Sequence, residues 1–279
     1  MTTLSLITLN CFGVPIPPAR WRLLALTREL NKRAVSVVCL QEVQAHVYRR
    51  LLINACTSYP GNAFAPFVHA PRGGLLTLTQ LPIVHSHFTR YQERGRWYTP
   101  TAADRFLHKG VLRTELLLDQ LPVIVLNTHL NANYSGDWSP TNRYARDEWQ
   151  QLQQLARIVS DQPSEALVLV AGDFNIPRGS WLYHQFLTAS GLNDPLANDN
   201  RPTYRIRPGI PARYARPIDF ALWRAPALPG LRVDSDICFK ERVPLALGRQ
   251  GHLSDHYGIE MQLTWDHHPF IHATRGTDR

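Results

Sequence analysis

The residues best suited to ligating a metal or moving a proton fall at the ends of apolar runs in this chain. LSLITLN closes on Asn10, VSVVCLQE on Glu42 and PVIVLNTH on His129. ALVLVAGDFNIP carries Asp173 and Asn175 at its end; Asp219 opens IDFALW, and Asp255 with His256 precedes YGIEMQL. A strand end is a rigid mount, able to hold a loop side chain to the tolerance that chemistry needs. Singly, each has a plainer use: Asn10 a turn, Glu42 a helix-initiating charge, His129 a satisfied core histidine, GDFN an Asx turn. Together, carboxylates, imidazoles and amides on successive mounts predict one shared site.

The elements that must position them are short and β-rich. The clearest strands are Leu4 to Leu9, Val35 to Leu40, Leu75 to Thr79, Leu112 to Leu118, Val123 to Thr128, Leu167 to Ala171, Phe220 to Trp223 and Tyr257 to Leu263. Apolar residues at consecutive positions require cover on both faces, as in two packed sheets with helices outside. Arg20 to Asn31 and Arg143 to Val159 place their apolar residues at helical spacing and are expected to supply that cover. Pro202 to Pro217 and Pro226 to Pro229 read as surface loops. Residues 1–266 are expected to form one domain, with a loosely ordered tail over 267–279.

Composition narrows the function classes. A chain of 279 residues, 44% hydrophobic, can bury a sizeable core, yet its longest apolar run falls short of a membrane span. The N-terminus lacks a basic segment and a cleavage site, so a cytoplasmic monomer is expected, or a secreted one were the chain a mature fragment. Cys11, Cys39, Cys56 and Cys238 have no CxxC spacing and read as buried thiols. The net charge of +8 is carried mostly by arginine, lysine standing only at Lys32, Lys109 and Lys240. That balance leans toward phosphate-bearing partners and decides nothing alone.

The order LN (Leu9, Asn10), QE (Gln41, Glu42), NTHL (Asn127 to Leu130), GDFN (Gly172 to Asn175), ID (Ile218, Asp219) and SDH (Ser254 to His256) resembles the endonuclease/exonuclease/phosphatase superfamily. The resemblance runs from residue 4 to 264. It implies a DNase I-like four-layer α/β sandwich, two mostly antiparallel sheets flanked by helices, and Mg²⁺-dependent hydrolysis of a phosphoric ester, with Mn²⁺ or another divalent ion as substitute. On that reading Glu42 ligates the metal with Asn10 and Asp255, since Mg²⁺ takes one or two carboxylates and keeps its waters. His256 is the general base, and Asp219 fixes its tautomer. The resemblance also implies that Asp173 handles a second proton or orients water, and that Asn175 and His129 donate to phosphoryl oxygens.

Three stretches, LNCFGVP, HKGVLRTEL and NTHLNANYS, are similar to the neutral sphingomyelinase branch. By that analogy Lys109, Asn131 and Tyr134 contact substrate, and the partner is a phospholipid reached by peripheral membrane contact through Trp97, Tyr98 and Trp138. The alternatives are an endo- or exonuclease acting on DNA or RNA, in which those aromatics stack on bases, and a non-catalytic phosphate- or lipid-binding module. A pure binder has no need of an acid and base pair at the phosphate. Gly73 and Gly74 are not followed by Lys-Ser or a helix; they read as a place where a strand begins or bends.

Overall fold

A computed structural model describes residues 1–16, 18–95, 107–206, 209–246 and 248–266. The first sheet has the order β10-β13-β1-β2-β4-β3, formed by β1 (Thr2–Gly13), β2 (Val37–Val43), β3 (Gly61–Ala63), β4 (Leu76–Thr79), β10 (Arg232–Cys238) and β13 (Gly258–Trp265). The second runs β5-β6-β7-β8-β9, from β5 (Ile83–Arg90), β6 (Gly110–Leu118), β7 (Leu121–His129), β8 (Leu167–Asp173) and β9 (Asp219–Arg224), while β11 (Val243–Pro244) and β12 (Gln250–Gly251) pair with each other. Helices α1 (Ala19–Arg33) and α2 (His46–Ala55) cover the first sheet; α3 (Arg143–Ser160) and α4 (Trp181–Ser190) cover the second. This is the expected four-layer α/β sandwich.

The alternation of side chains along a strand explains the layers. In β8, Leu167, Leu169 and Ala171 face the core between the sheets, while Val168 and Val170 face α3 and α4. In β1, Leu4 and Leu6 point inward and Ile7 and Leu9 toward α1. Each side chain so buried contributes about 1.5–3 kcal/mol, so a strand apolar on both faces holds two layers at once. The four cysteines are free and buried in these cores. Among the described residues no helix is long and apolar enough to cross a membrane.

Within each mostly antiparallel sheet lies one parallel pair, β1 with β2 and β7 with β8. Both strands of such a pair end on the same side. Asn10 and Glu42 therefore meet at one end of the first sheet, and His129 stands opposite Asp173 in the second. The outer neighbours β13 and β9 run the other way. They bring residues at their starts to the same edge, which is why Asp219 and His256 precede their apolar runs while the others follow theirs.

Several elements go beyond the sequence reading: α2, α4, β3, β5 and β10. β10 is an edge strand whose outward positions are Arg232, Asp234 and Asp236, and β5 is exposed over Val84 to His87, so neither has a continuous apolar run to betray it. Helix α4 is announced by Ser180, whose hydroxyl accepts from Tyr183 N–H, and closed by Gly191 in the left-handed conformation.

Candidate active site

Asp219 and Asp173 are register partners on β9 and β8, and His256 lies against both carboxylates, lining a solvent-facing cavity together with Asp173. His256 Nδ1 is 2.9 Å from Asp219 Oδ2, and Nε2 is 3.8 Å from Asp173 Oδ2. Burial acts to lower the His256 pKa, but the charges of Asp219 and Asp173 outweigh it and hold the imidazolium up to about 10. Burial pushes Asp173 up to about 7, with Asp219 adding to it and His256 opposing. At neutral pH the trio thus carries an imidazolium flanked by acidic groups.

The SDH motif is a local device that aims the ring. Ser254 Oγ donates to the Asn10 carbonyl and accepts from His256 N–H at 3.1 Å, tying the loop before β13 to the end of β1. GDFN is also an Asx turn: Asn175 N–H donates to Asp173 Oδ1 at 3.0 Å, with Asn175 at φ 55. Gly172 has φ 153, and a Cβ there would lie 1.9 Å from the Thr128 carbonyl oxygen, so only glycine lets β8 pass this close to β7.

Asn10 joins the two sheets. Its Nδ2 donates to Glu42 Oε1 at 3.0 Å and to Asp173 Oδ2 at 2.9 Å, while its Oδ1 accepts from Phe12 N–H. The oxygen it would offer a cation is thus turned to the backbone. Glu42 has φ 58, a strained conformation for a residue with a side chain, of the kind found at functional sites. Gly74, at φ 65, lies under it: a Cβ there would come 3.2 Å from Glu42 Cα. The glycine pair that reads as a strand start therefore also makes room for the Glu42 backbone. Burial raises the Glu42 pKa, Asn10, His256 and Lys109 lower it, and neighbouring Asp255 raises it.

His129 and Lys109 form a buried pair. Lys109 Nζ lies 3.0 Å from His129 Nε2 and donates to the Leu130 carbonyl at 2.6 Å. Burial, then Lys109 and His256, lower the His129 pKa well below the usual imidazole value, so the neutral ring accepts from lysine through Nε2. Asn175 Nδ2 donates to that same carbonyl at 2.9 Å.

These groups line a cavity of about 670 Å³ together with Phe12, Tyr134, Tyr204 and Tyr214. Glu42, His129, Asp173, Asn175, Asp255, His256, Lys109 and Tyr134 all reach it, and Asn10 and Asp219 stand directly behind. Asn131 does not. It is buried beneath the loop, 2% exposed, with its N–H donating to Gln151 Oε1, and its neighbours Ala132, Asn133 and Tyr134 face the cavity in its place. Trp138 is not a free interfacial aromatic either: its indole donates to the Asn175 carbonyl at 3.1 Å, and its own carbonyl accepts from Trp181. Those bonds pin the loop to the GDFN turn and to the first residue of α4. Trp97, Tyr98 and the tail over 267–279 lie outside the described residues.

Sequence reasoning missed three contributors. Gln41 Nε2 donates to Asn127 Oδ1 at 2.8 Å, a buried bridge between the sheets made by the motif residues beside Glu42 and His129. Thr203 Oγ1, fully buried, accepts from Ile218 and Asp219 N–H and fixes the start of β9. Both lie in or near stretches whose polar residues look like ordinary loop and strand positions. Beyond Thr203, the proline-rich segment read as a surface loop carries Ile210, Arg213 and Tyr214 over the cavity.

Two donor sets could meet a divalent cation. Asp173, Asp219 and His256 offer one ligand atom each within 4.8 Å, but Asp219 and His256 Nδ1 are already engaged with one another. Glu42 and Asp255 present oxygen alone to the cavity, and the charge of Asp255 adds to the cost of charging Glu42, which a hard cation would relieve.

The sequence pattern of the Endonuclease/Exonuclease/phosphatase family matches residues 7–256. A Drosophila melanogaster protein described as "Putative neutral sphingomyelinase" is 27% identical over 273 residues, covering 93% of this chain and 60% of that protein. Among solved structures, sphingomyelinase C from Streptomyces griseocarneus superposes with a TM-score of 0.68 at 21% identity, over 94% of this chain and 99% of that one. D. rerio TDP2 complexed with a single-strand DNA product does so at 0.69 and 18% identity, over 95% and 100%. At such identities the superpositions speak for the fold. The chain spans 60% or less of the length of the curated relatives it matches.

Proposed function

Because this chain belongs to the endonuclease/exonuclease/phosphatase family, we propose that it hydrolyses a phosphodiester, with a phospholipid head group as the preferred substrate. The observation that carries the reading is the buried Asp219–His256 pair facing Asp173 at the floor of an open cavity. A binding module would not sustain the cost of holding such a cluster away from water. The lipid preference rests on the relatives, whose names are those of sphingomyelinases and a sphingolipid phospholipase C.

His256 Nε2 takes the proton of the attacking water, and Asp219 holds Nδ1–H and stabilises the imidazolium that forms. Asp173, 3.8 Å from that nitrogen, orients the same water. The charges of Asp219 and Asp173 hold the His256 pKa up to about 10, and positive charge arriving nearby would bring it down toward the range of a working base. A divalent cation, Mg²⁺ or Mn²⁺, held by Glu42 and Asp255 would polarise a phosphoryl oxygen and lower the His256 pKa by its charge. Lys109, oriented by neutral His129, adds a fixed cation at the phosphate, and Asn175 anchors the loop edge. Asn10 keeps Glu42 and Asp173 in place, and Tyr134 meets the substrate at the cavity mouth.

The test compares turnover, with Mg²⁺ present, of bis-p-nitrophenyl phosphate, sphingomyelin vesicles and supercoiled plasmid at 50 and 200 mM salt. Turnover of the first two, with little salt dependence on vesicles, is expected. Cleavage of plasmid alone, falling steeply with salt, would establish the nuclease alternative.

A further inference from the structure

One wall of the cavity is unlike its floor. Arg213 lines the cavity from the exposed 209–216 loop, whereas Lys109, His129, Asp173 and His256 are buried at the floor. Its guanidinium lies over the Tyr214 ring, 5.3 Å from the centroid. Tyr214 OH in turn donates to the Tyr134 carbonyl at 2.9 Å, joining this loop to the 131–138 loop across the cavity. Gly136, at φ 65, supplies the clearance: a Cβ there would lie 2.6 Å from Arg213 Nε. Among the described residues no carboxylate pairs with Arg213, in contrast to Arg178 and Arg201, which are matched to Asp194 and Asp199.

A guanidinium resting over a tyrosine ring still has N–H groups to offer, and its planar fork suits a carboxylate or phosphate bound through two parallel bonds. The floor already holds charge and donors for the scissile phosphate. Arg213 is therefore placed to meet a different group. Resting on the phosphodiesterase reading above, the geometry points to a substrate whose head-group alcohol carries a second anionic group, bound by Arg213 at the cavity mouth. A quaternary ammonium gains no such contact and meets the positive charge of Arg213 beside the Tyr214 ring, so a choline lipid is expected to be turned over, but more slowly than one with an anionic head group. The occupant is an anionic phospholipid head group rather than a nucleic-acid strand: Ile210 and Tyr134, 40% and 44% exposed, line the same cavity as the arginine, and its volume of about 670 Å³ suits a small head group.

Serine and ethanolamine head groups differ by one carboxylate, which isolates the contact. Binding of O-phosphoserine and O-phosphoethanolamine by calorimetry, and turnover of micellar phosphatidylserine and phosphatidylethanolamine, are measured for the wild type, Arg213→Ala and Arg213→Lys. The wild type is expected to prefer the serine compounds by about tenfold, Arg213→Ala to abolish the preference and Arg213→Lys to keep part of it, consistent with one charge-assisted contact. Equal affinity of the wild type for both head groups, or an equal loss on both in Arg213→Ala, overturns the assignment. So does an Arg213-dependent turnover of a single-stranded oligonucleotide without any serine preference. Absence of turnover on every diester, with the phosphoserine preference and its loss in Arg213→Ala retained, would remove the diesterase reading and leave the anion site standing.

Discussion

The Nδ2 of Asn10 lies 2.9 Å from the Asp173 carboxylate and 3.0 Å from that of Glu42, so a single amide joins carboxylates mounted on different sheets. The site exists only where the two sheets face one another at this edge. Asn10 is fully buried, and so is its bond to Asp173.

Replacing Asn10 by Ala removes both donations and leaves the carboxylates without a common partner. Stability is expected to fall by about 1–3 kcal/mol, the cost of unsatisfied buried groups. The kcat/KM on bis-p-nitrophenyl phosphate should fall far more than the unfolding midpoint alone explains, because Glu42 and Asp173 are no longer held in register. Kinetics paired with urea unfolding checks this; a normal kcat/KM would mean that Asn10 is structural only.

His256→Gln and Asp173→Asn remove proton handling with little change of volume. Turnover is expected to drop about 10²- to 10⁴-fold in each, the range for a positioned acid or base. Circular dichroism should show the folded sandwich. A folded variant with near-normal rate takes that residue out of the mechanism.

Glu42→Gln keeps the Asn10 contact within reach but halves the anionic oxygens facing the cavity with Asp255. The Mg²⁺ concentration for half-maximal activity should rise, and metal-dependent stabilisation against heat should shrink in parallel. Full activity of the wild type in EDTA would dismiss the cation altogether.

Metal-free protein should lose stability as pH rises. The His256 pKa is lifted from 6.5 to about 10 in the fold, so its contribution is full below pH 6.5 and disappears as pH passes through about 10. Asp173, lifted from 3.8 to about 7, acts in the same direction at lower pH, its contribution lost as pH rises through about 7. Urea midpoints in EDTA should therefore decline from pH 7 to 10, and the decline should be shallower in His256→Gln. A rising midpoint over that range would contradict these charge states.

Away from the site, Arg178 and Asp194 form an ion pair with both side chains about 1% exposed, and Tyr183 OH also donates to Asp194. Asp194→Ala leaves a buried guanidinium without its carboxylate and is expected to cost about 3–5 kcal/mol. Activity measured well below the new melting temperature should be retained.

Much of this was legible in the chain alone because the information is local. An apolar run with both faces covered is a statement about neighbours one and two residues apart, and a polar residue at its end is visible without knowing what lies opposite. The four-layer sandwich and the assembly of Glu42, His129, Asp173, Asn175, Asp219 and His256 at one edge follow from such local signals together with the resemblance in their order. What tertiary structure decided are relations between segments distant in sequence. Trp138 in YSGDWSP reads as an exposed aromatic until Trp181 of α4 donates to its carbonyl and its own indole donates to Asn175. Asn131 reads as a pocket residue until Gln151 draws its backbone beneath the surface. Gly74 and Glu42 are more than thirty positions apart, and the need for a missing Cβ appears only when β2 and the turn before β4 are brought together. Arg213 looks like one more arginine in a basic chain; only the bond from Tyr214 to Tyr134 places it over the cavity. Side-chain type and periodicity are carried by the residues themselves, whereas which surfaces become neighbours is set by the packing of all layers at once, and no short stretch contains that information.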